Sequence, residues 1–571
     1  MKDSKPSSQP EAERTTAMVT DDDDDNNSDT RSIGNQRMLM PKQTLLIAIP
    51  ALSVALFVSF IDQTGVSTSI PAVSADLDTG SATSWIGASF LIASTAFQLI
   101  NGRLSDIFGR KNCLLLCLAL IALGDVLSGF AKTKGQLFAF RAIAGVGGGG
   151  INSIVMIIVS DITTLENRGT YQGILGAVIA LANGSGPFLG GALVESLSWR
   201  WVFWLIPMLA VPAAIAILFF LPVRHESGNY VAKVKMIDYI GILLNLAAVL
   251  LILIPLSGGG DAYSWSSTQF IAMITIGGVF AVLFVLYEWK RAPVPIMPLR
   301  LFQDPRCTYM YGQSLMSGIG FYGNFFYCEI YFQSVLGYTA LQSGALILPL
   351  IISSSICSIL SGQFMSRVGR YMPCIAGGFG LWTIGAGLKC TFGQSTPLWA
   401  LIVVLMVEGL GVGLTLQPVL VGLLANSKSE DRAVCTGLRN FIRTIGGALG
   451  LIISGTILSN TLRSRLLDLP FTTSEIVSGL SSSTYALEKL SLSDGEKDLV
   501  LSVYMKGLHY IFIFFVASIG SAFVMSLGVG NTSLRAPGPQ EDDKVEPQLR
   551  GDATASSGGL GNSVGEKRLE V

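Results

Sequence analysis

Short polar breaks divide this chain into about fourteen apolar runs, each near the length needed to cross a bilayer. About 20 helical residues at roughly 1.5 Å each span the hydrocarbon layer. A backbone crossing that layer must satisfy its hydrogen bonds internally, which runs of this length do as helices. The fold class is therefore an all-α integral membrane protein. Composition agrees: only 13% of the 571 residues are charged, against roughly a quarter in soluble domains. The runs fall at 44–70, 83–101, 112–131, 136–160, 170–193, 201–221, 237–257, 268–289, 309–334, 341–365, 371–391, 397–424, 435–460 and 508–529.

The breaks also carry an orientation. One set holds Arg103, Arg110, Lys111, Arg168, Arg224, Lys233, Lys235, Lys290, Arg291, Arg300, Arg306, Arg367, Arg370, Lys428 and Arg432. The alternate set holds Lys132, Lys134, Arg200 and Lys389. Short loops rich in Lys and Arg stay in the cytosol, so the first set is cytosolic, and an even helix count puts both termini there. The expected organisation is a disordered cytosolic tail at 1–43, a six-helix bundle at 44–221, two inserted helices with linkers at 222–308, and a second six-helix bundle at 309–530. A long extracytosolic loop covers 461–507, whose last part, from Asp494, could extend the final helix. Residues 531–571 form a second disordered tail. A plasma-membrane location is expected, with the vacuolar membrane as the alternative.

Several classes of function drop out. A net charge of −1 gives no field for nucleic acid. Eight dispersed cysteines without a C-x-x-C pair, and two distant histidines (His225 and His509), suggest neither a disulfide frame nor a metal site. The glycines Gly145 to Gly150 lie in an apolar run and lack the Lys-Ser/Thr ending of a phosphate loop. No nucleophile–base constellation appears, so no enzyme and no cofactor is expected. The expected partners are a small-molecule substrate, protons and membrane lipids, with the chain acting as a monomer.

Charged residues inside the apolar runs are the candidates for chemistry, because each costs a few kcal/mol unless it is paired or faces a wet cavity. Asp62 lies within a run that begins near Thr44; it can bind a proton or a cation, or serve only as a packing acid. Arg141 needs an acid or carbonyl partner. Asp125 and Glu408 also lie inside runs. Arg439 and Arg443 share a helix face near the cytosolic end, where snorkelling to headgroups would account for them. Candidates for substrate contact are Gln63, Asn152, Gln313, Asn324, Glu408 and Gln417. The ninth run, with Phe321, Tyr322, Phe325, Phe326 and Tyr327, suits a wide pocket or a lipid-facing surface equally.

The chain also repeats itself. Gly102-Arg103-Leu104-Ser105-Asp106-Ile107-Phe108-Gly109-Arg110 after the second run is echoed by Gly362-Gln363-Phe364-Met365-Ser366-Arg367-Val368-Gly369-Arg370 after the tenth. Glu166-Asn167-Arg168 before the fifth run is echoed by Glu430-Asp431-Arg432 before the thirteenth. Repeated bundles are a common plan of secondary transporters, with the substrate site between the halves. In the first repeat Gly102 and Gly109 frame a sharp turn around Asp106, and Arg110 and Lys111 hold it at the anionic leaflet. Gly184-Ser185-Gly186-Pro187-Phe188-Leu189-Gly190-Gly191 combines a backbone break with a small-residue face suited to sliding.

Gly102 to Lys111 resembles the G-x-L-x-D-x-x-G-R-K signature of the major facilitator superfamily, and matches it throughout. The resemblance implies two pseudo-symmetric six-helix bundles plus two inserted helices. It also implies that this motif latches the bundles outward-open, with Asp106 facing the helix that begins near Cys435. Asp62-Gln63-Thr64 through Pro71 resembles the first-helix signature of the fourteen-helix drug:proton antiporter branch. The segment around Arg141 resembles a fourth-helix motif associated with proton transfer, with Ala144 in place of a usual glutamine. Gly186, Pro187, Gly190 and Gly191 resemble the fifth-helix antiporter motif, with Ala182 in place of a glycine. The polar tails resemble those of fungal exporters of secondary metabolites or toxins. Together these imply a proton-driven exporter of a small amphipathic organic molecule, coupled through Asp62 and Arg141. An importer or vacuolar transporter of basic amino acids or iron chelates on the same scaffold, or a transporter-like receptor, remains an alternative.

Overall fold

The computed structural model describes residues 42–77, 79, 85–163, 165–221, 237–258, 264, 266–291, 295–428, 431–466 and 494–534. Most of the two tails and the centre of the 461–507 loop lie outside these residues. Fourteen long helices appear among them: α1 Lys42–Gly65, α2 Trp85–Phe108, α3 Arg110–Gly129, α4 Lys134–Ile162, α5 Leu165–Ser196, α6 Arg200–Phe220, α7 Tyr239–Ser257, α8 Thr268–Lys290, α9 Pro305–Ile330, α10 Ala340–Val368, α11 Met372–Lys389, α12 Leu398–Ala425, α13 Arg432–Leu466 and α14 Asp494–Ser526. Eleven candidate spans among them are long and apolar enough to cross a membrane. The three others, α2, α9 and α11, carry more polar or small residues.

The helix ends follow local chemistry. Thr133 accepts from the Gln136 N–H at the start of α4, and Asp238 from the Gly241 N–H at the start of α7. Thr339 and Gln342 form a reciprocal capping box on α10. Pro305 occupies the first turn of α9, where its missing N–H costs nothing. α14 begins at Asp494, the earlier of the two starts open to it. The first run is not one continuous helix: after Gly65 it tightens into a 3₁₀ turn, Val66–Ser69, and resumes as a short helix, Ile70–Leu77. The repeated motif is also more helical than a loop. α2 continues through Gly102 to Phe108, and only Gly109, at φ 90°, turns the chain. Gly369, at φ 74°, ends the second copy the same way. Gly102 serves close packing instead: a Cβ there would sit 3.3 Å from the Ala433 carbonyl oxygen.

Helices α1–α6 and α9–α14 form two bundles that repeat one another's contacts. A Cβ on Gly145 of α4 would meet the Phe90 carbonyl, and one on Gly409 of α12 the Leu350 carbonyl. Gly124 abuts Ala144 as Gly385 abuts Glu408. Glycine thus recurs wherever α4 and α12 press backbone to backbone on their neighbours. The inserted α7 is tied to α2 by Asn245, which donates to the Ala96 carbonyl at 3.1 Å. α8 is largely exposed, with Ile271, Val282 and Trp289 turned outward as a lipid-facing surface requires.

Two readings of charge need correction. Lys389 is not a loop residue: it ends α11, is fully buried, and belongs to an ion pair inside the second bundle. Without it the loop asymmetry is sharper. Arg439 and Arg443 do not snorkel, because α13 turns both inward and both are buried.

Candidate functional site

Three helices of the first bundle bring together a buried charge cluster. Arg141 of α4 donates one guanidinium nitrogen to Asp62 of α1 at 2.6 Å and to Asp125 of α3 at 3.0 Å. All three side chains are at most 1% exposed. The guanidinium lies 4.6 Å from the Phe90 ring centre and 5.5 Å from that of Phe203. The second carboxylate oxygen of each aspartate is buried without a hydrogen-bond partner among the described residues. Two carboxylates around one guanidinium leave one formal negative charge in a dry site. Such an excess is costly, and a proton removes it. Asp62 and Arg141 were both legible in the sequence, and the structure joins them. Asp125, one isolated aspartate in an apolar run, gave no sign that it completes the cluster.

The second bundle holds a counterpart on the equivalent helices. Lys389 of α11 pairs with Glu408 of α12 at 2.9 Å and donates to the side-chain oxygen of Asn324 of α9. Trp382 donates its indole N–H to Glu408 at 3.2 Å. Here one cation meets one anion, and an amide stands on the first helix. The cluster is formally neutral. Asn324 and Glu408 therefore share Lys389 as their partner.

A narrow cleft lies where the bundles meet. α5 contributes Gly176, Ile179 and Asn183; α9, α10, α12 and α13 contribute Phe321, Phe325, Ser354, Gln417 and Arg443 among others. Of the other sequence candidates, Gln417 lines it, with its side-chain oxygen unpartnered. Gln313 does not: it is buried within the second bundle and donates to the Ala522 carbonyl at 3.2 Å. Gln63 and Asn152 are half-buried on α1 and α4.

The bundles are closed at the end bearing the repeated motif. Gly102 meets Ala433, and Ser358 donates to the Gly173 carbonyl at 3.0 Å. Thr444 donates to Gln98 at 3.3 Å. Asp106 pairs with Arg110 at 2.5 Å and Arg103 at 3.5 Å, while Arg110 also reaches Asp161 at 3.1 Å. Asp161, at the end of α4, is a partner of Arg110 that the sequence did not advertise. Along α5, Gly186 and Gly190 pack against Thr64, Gly65 and Thr68 of the first segment, whereas Gly191 has no near neighbour. Pro187 sits half-buried between them.

Two bundles with repeated contacts, packed together beside the repeated motif, and a cleft at their junction agree with a family match. Residues 52–451 match the family model described as Major Facilitator Superfamily. The chain belongs to the major facilitator superfamily. As a superfamily member it is a multi-pass membrane transporter, not an enzyme. Citrate exporter 1 of Yarrowia lipolytica is 38% identical over 503 residues, covering 88% of this chain and 74% of that protein. Efflux pump dotC of Dothistroma septosporum is 33% identical over 499 residues, covering 86% of each. The solved proton:xylose symporter XylE superposes with a TM-score of 0.56 at 13% identity, over 87% of this chain and 98% of that one, and shares the fold.

Proposed function

We propose that this superfamily transporter is a proton-coupled exporter of a small amphipathic organic molecule, working by alternating access. The observation that carries this reading is the excess negative charge of the Asp62–Arg141–Asp125 cluster. One proton shared between the two carboxylates neutralises the site; losing it restores the repulsion that Arg141 only half offsets. Binding shifts a conformational equilibrium only by its differential affinity for the two states. A proton taken up here therefore drives transport if one state leaves the pair drier than the other.

On this reading the proton gradient is the energy source, and no cofactor takes part. Gly102, Asp106, Gly109 and Arg110 hold the closed face, and the α1–α5 contact through Gly186, Pro187 and Gly190 is the sliding surface. The chain works as a monomer in the plasma membrane with both termini cytosolic. The relatives named above as an exporter and an efflux pump favour the outward direction.

The test compares metabolites in cells and medium with and without the gene, and with Asp62→Asn in its place. A compound that accumulates in deletant cells and falls in the medium supports export, and Asp62→Asn should reproduce that phenotype while the protein stays in the membrane. A nutrient left unconsumed in the medium would reverse the direction. Normal export by Asp62→Asn would reject Asp62 as the coupling acid.

A further inference from the structure

The interbundle cavity is lined by one charged side chain, and it is a cation. Arg443 is buried, and among the described residues no carboxylate lies within ion-pair distance of it. Its Nε and one terminal nitrogen have no hydrogen-bond partner. The guanidinium rests on aromatic faces, 4.8 Å from the Phe321 ring centre and 5.7 Å from that of Tyr322. One turn earlier, Arg439 places a second buried guanidinium beside it, bonded to the Leu416 carbonyl at 2.5 Å and Asn440 at 3.0 Å. Neither arginine can shed its proton in a protein. Arg443 therefore puts one formal positive charge on the cavity wall, with Arg439 behind it, and among the described residues no carboxylate lies within ion-pair distance of either.

This contrasts with Arg141 and Lys389, each satisfied by carboxylates of its own bundle. An unpaired buried cation is costly, and a planar guanidinium with free donors matches a carboxylate in a bidentate fork. The neighbouring amides add direction: Asn183 Nδ2 is a buried, unpartnered donor for the carboxylate, while Gln417 Oε1 is a buried, unpartnered acceptor for a hydroxyl or N–H elsewhere on the ligand. Ile179, Phe321, Phe325 and Val412 supply apolar wall for the rest of a ligand. A cationic compound would meet like charge in a site of low polarity.

We infer that the transported molecule is an organic carboxylate, bound between the bundles with its carboxylate on Arg443. The inference rests on the transport reading above and narrows its substrate class. An anion that neutralises Arg443 stands in for the missing counterion, and its carbon skeleton lies along the Phe321–Phe325 face.

The test is binding to the purified full-length protein in detergent, read by calorimetry and thermal unfolding. The probes are succinate, benzoate, the neutral isostere benzamide, and the cation tetraphenylphosphonium. At least one carboxylate should bind, with benzoate favoured over benzamide by about tenfold to a hundredfold, the range of a charge-assisted hydrogen bond. Arg443→Gln should weaken carboxylate binding by a similar factor, and Arg443→Lys should recover part of it, since it keeps the charge but loses the fork. The probe comparison needs only wild-type protein, so a poorly folding variant does not blunt it. Binding of tetraphenylphosphonium with neither carboxylate bound overturns the inference, as does unchanged carboxylate binding in a folded Arg443→Gln. Failure of every carboxylate to bind overturns it too. No proton gradient is present in this assay. Carboxylate binding without gradient-driven transport in vesicles would instead overturn the proton-coupling reading alone.

Discussion

The two bundles solve one problem, a buried charge on the fourth helix of each repeat, in opposite ways. In the first, Arg141 faces Asp62 and Asp125, and the cluster keeps one negative charge in excess. In the second, Glu408 faces Lys389 and the amide of Asn324, and the charges cancel. The scaffold is the same: Gly124 lies against Ala144 where Gly385 lies against Glu408. A cancelled pair fixes packing and has no use for a proton. An uncancelled trio gains from a proton or another cation, which removes its excess charge. On the proposed reading the difference places coupling in the first bundle and a static role in the second, although both clusters are equally dry.

The comparison can be broken at several points, ordered by expected loss of stability. Arg141→Gln strands two adjacent carboxylates, and breaking a buried pair in this way costs about 3–5 kcal/mol. Thermal unfolding should show the largest drop of the series, and gradient-driven transport should vanish. Lys389→Met strands only Glu408 and should destabilise at the lower end of the same range, about 3 kcal/mol. Adding Glu408→Leu to it should restore stability to near wild type, because replacing a whole buried pair by apolar groups is often neutral or better. That double variant should still transport under a proton gradient, which is the sharpest contrast with the first bundle.

Asp125→Asn gives the first cluster the charge count of the second. It should leave stability within about 1 kcal/mol of wild type, since one charge-assisted bond is lost while the excess charge goes. Accumulation against a gradient should fail, while downhill exchange of substrate continues. Gly102→Leu should change stability least of all. It pushes α2 from α13 at the Ala433 contact, so maleimide labelling of buried Cys435, followed by mass spectrometry, should rise. Unchanged labelling would show that the contact does not hold the closed face.

Much of the architecture was legible because bilayer crossing is written in length and hydropathy, and the repeat in glycine spacing. Helix existence followed from this, whereas helix ends followed caps that lie outside the apolar runs. The site was half legible. Asp62 and Arg141 stand out as charges deep in apolar runs. Asp125 also does, yet nothing in one sequence sets the rotation of α3 that points it at Arg141. Lys389 looked like a loop charge because it is the last residue of α11. Arg443 looked like a snorkelling residue because a helix end and a cavity wall look alike until α9 is laid across it.

The most direct measurement is the infrared carboxylic-acid stretch of the purified protein, followed as pH is varied. A protonated carboxyl component that comes and goes with pH should be present in wild type and in Lys389→Met/Glu408→Leu, and the band should be smaller by that component in Asp62→Asn/Asp125→Asn. The same pH-dependent band persisting undiminished in Asp62→Asn/Asp125→Asn would contradict the assignment of the proton to the first bundle.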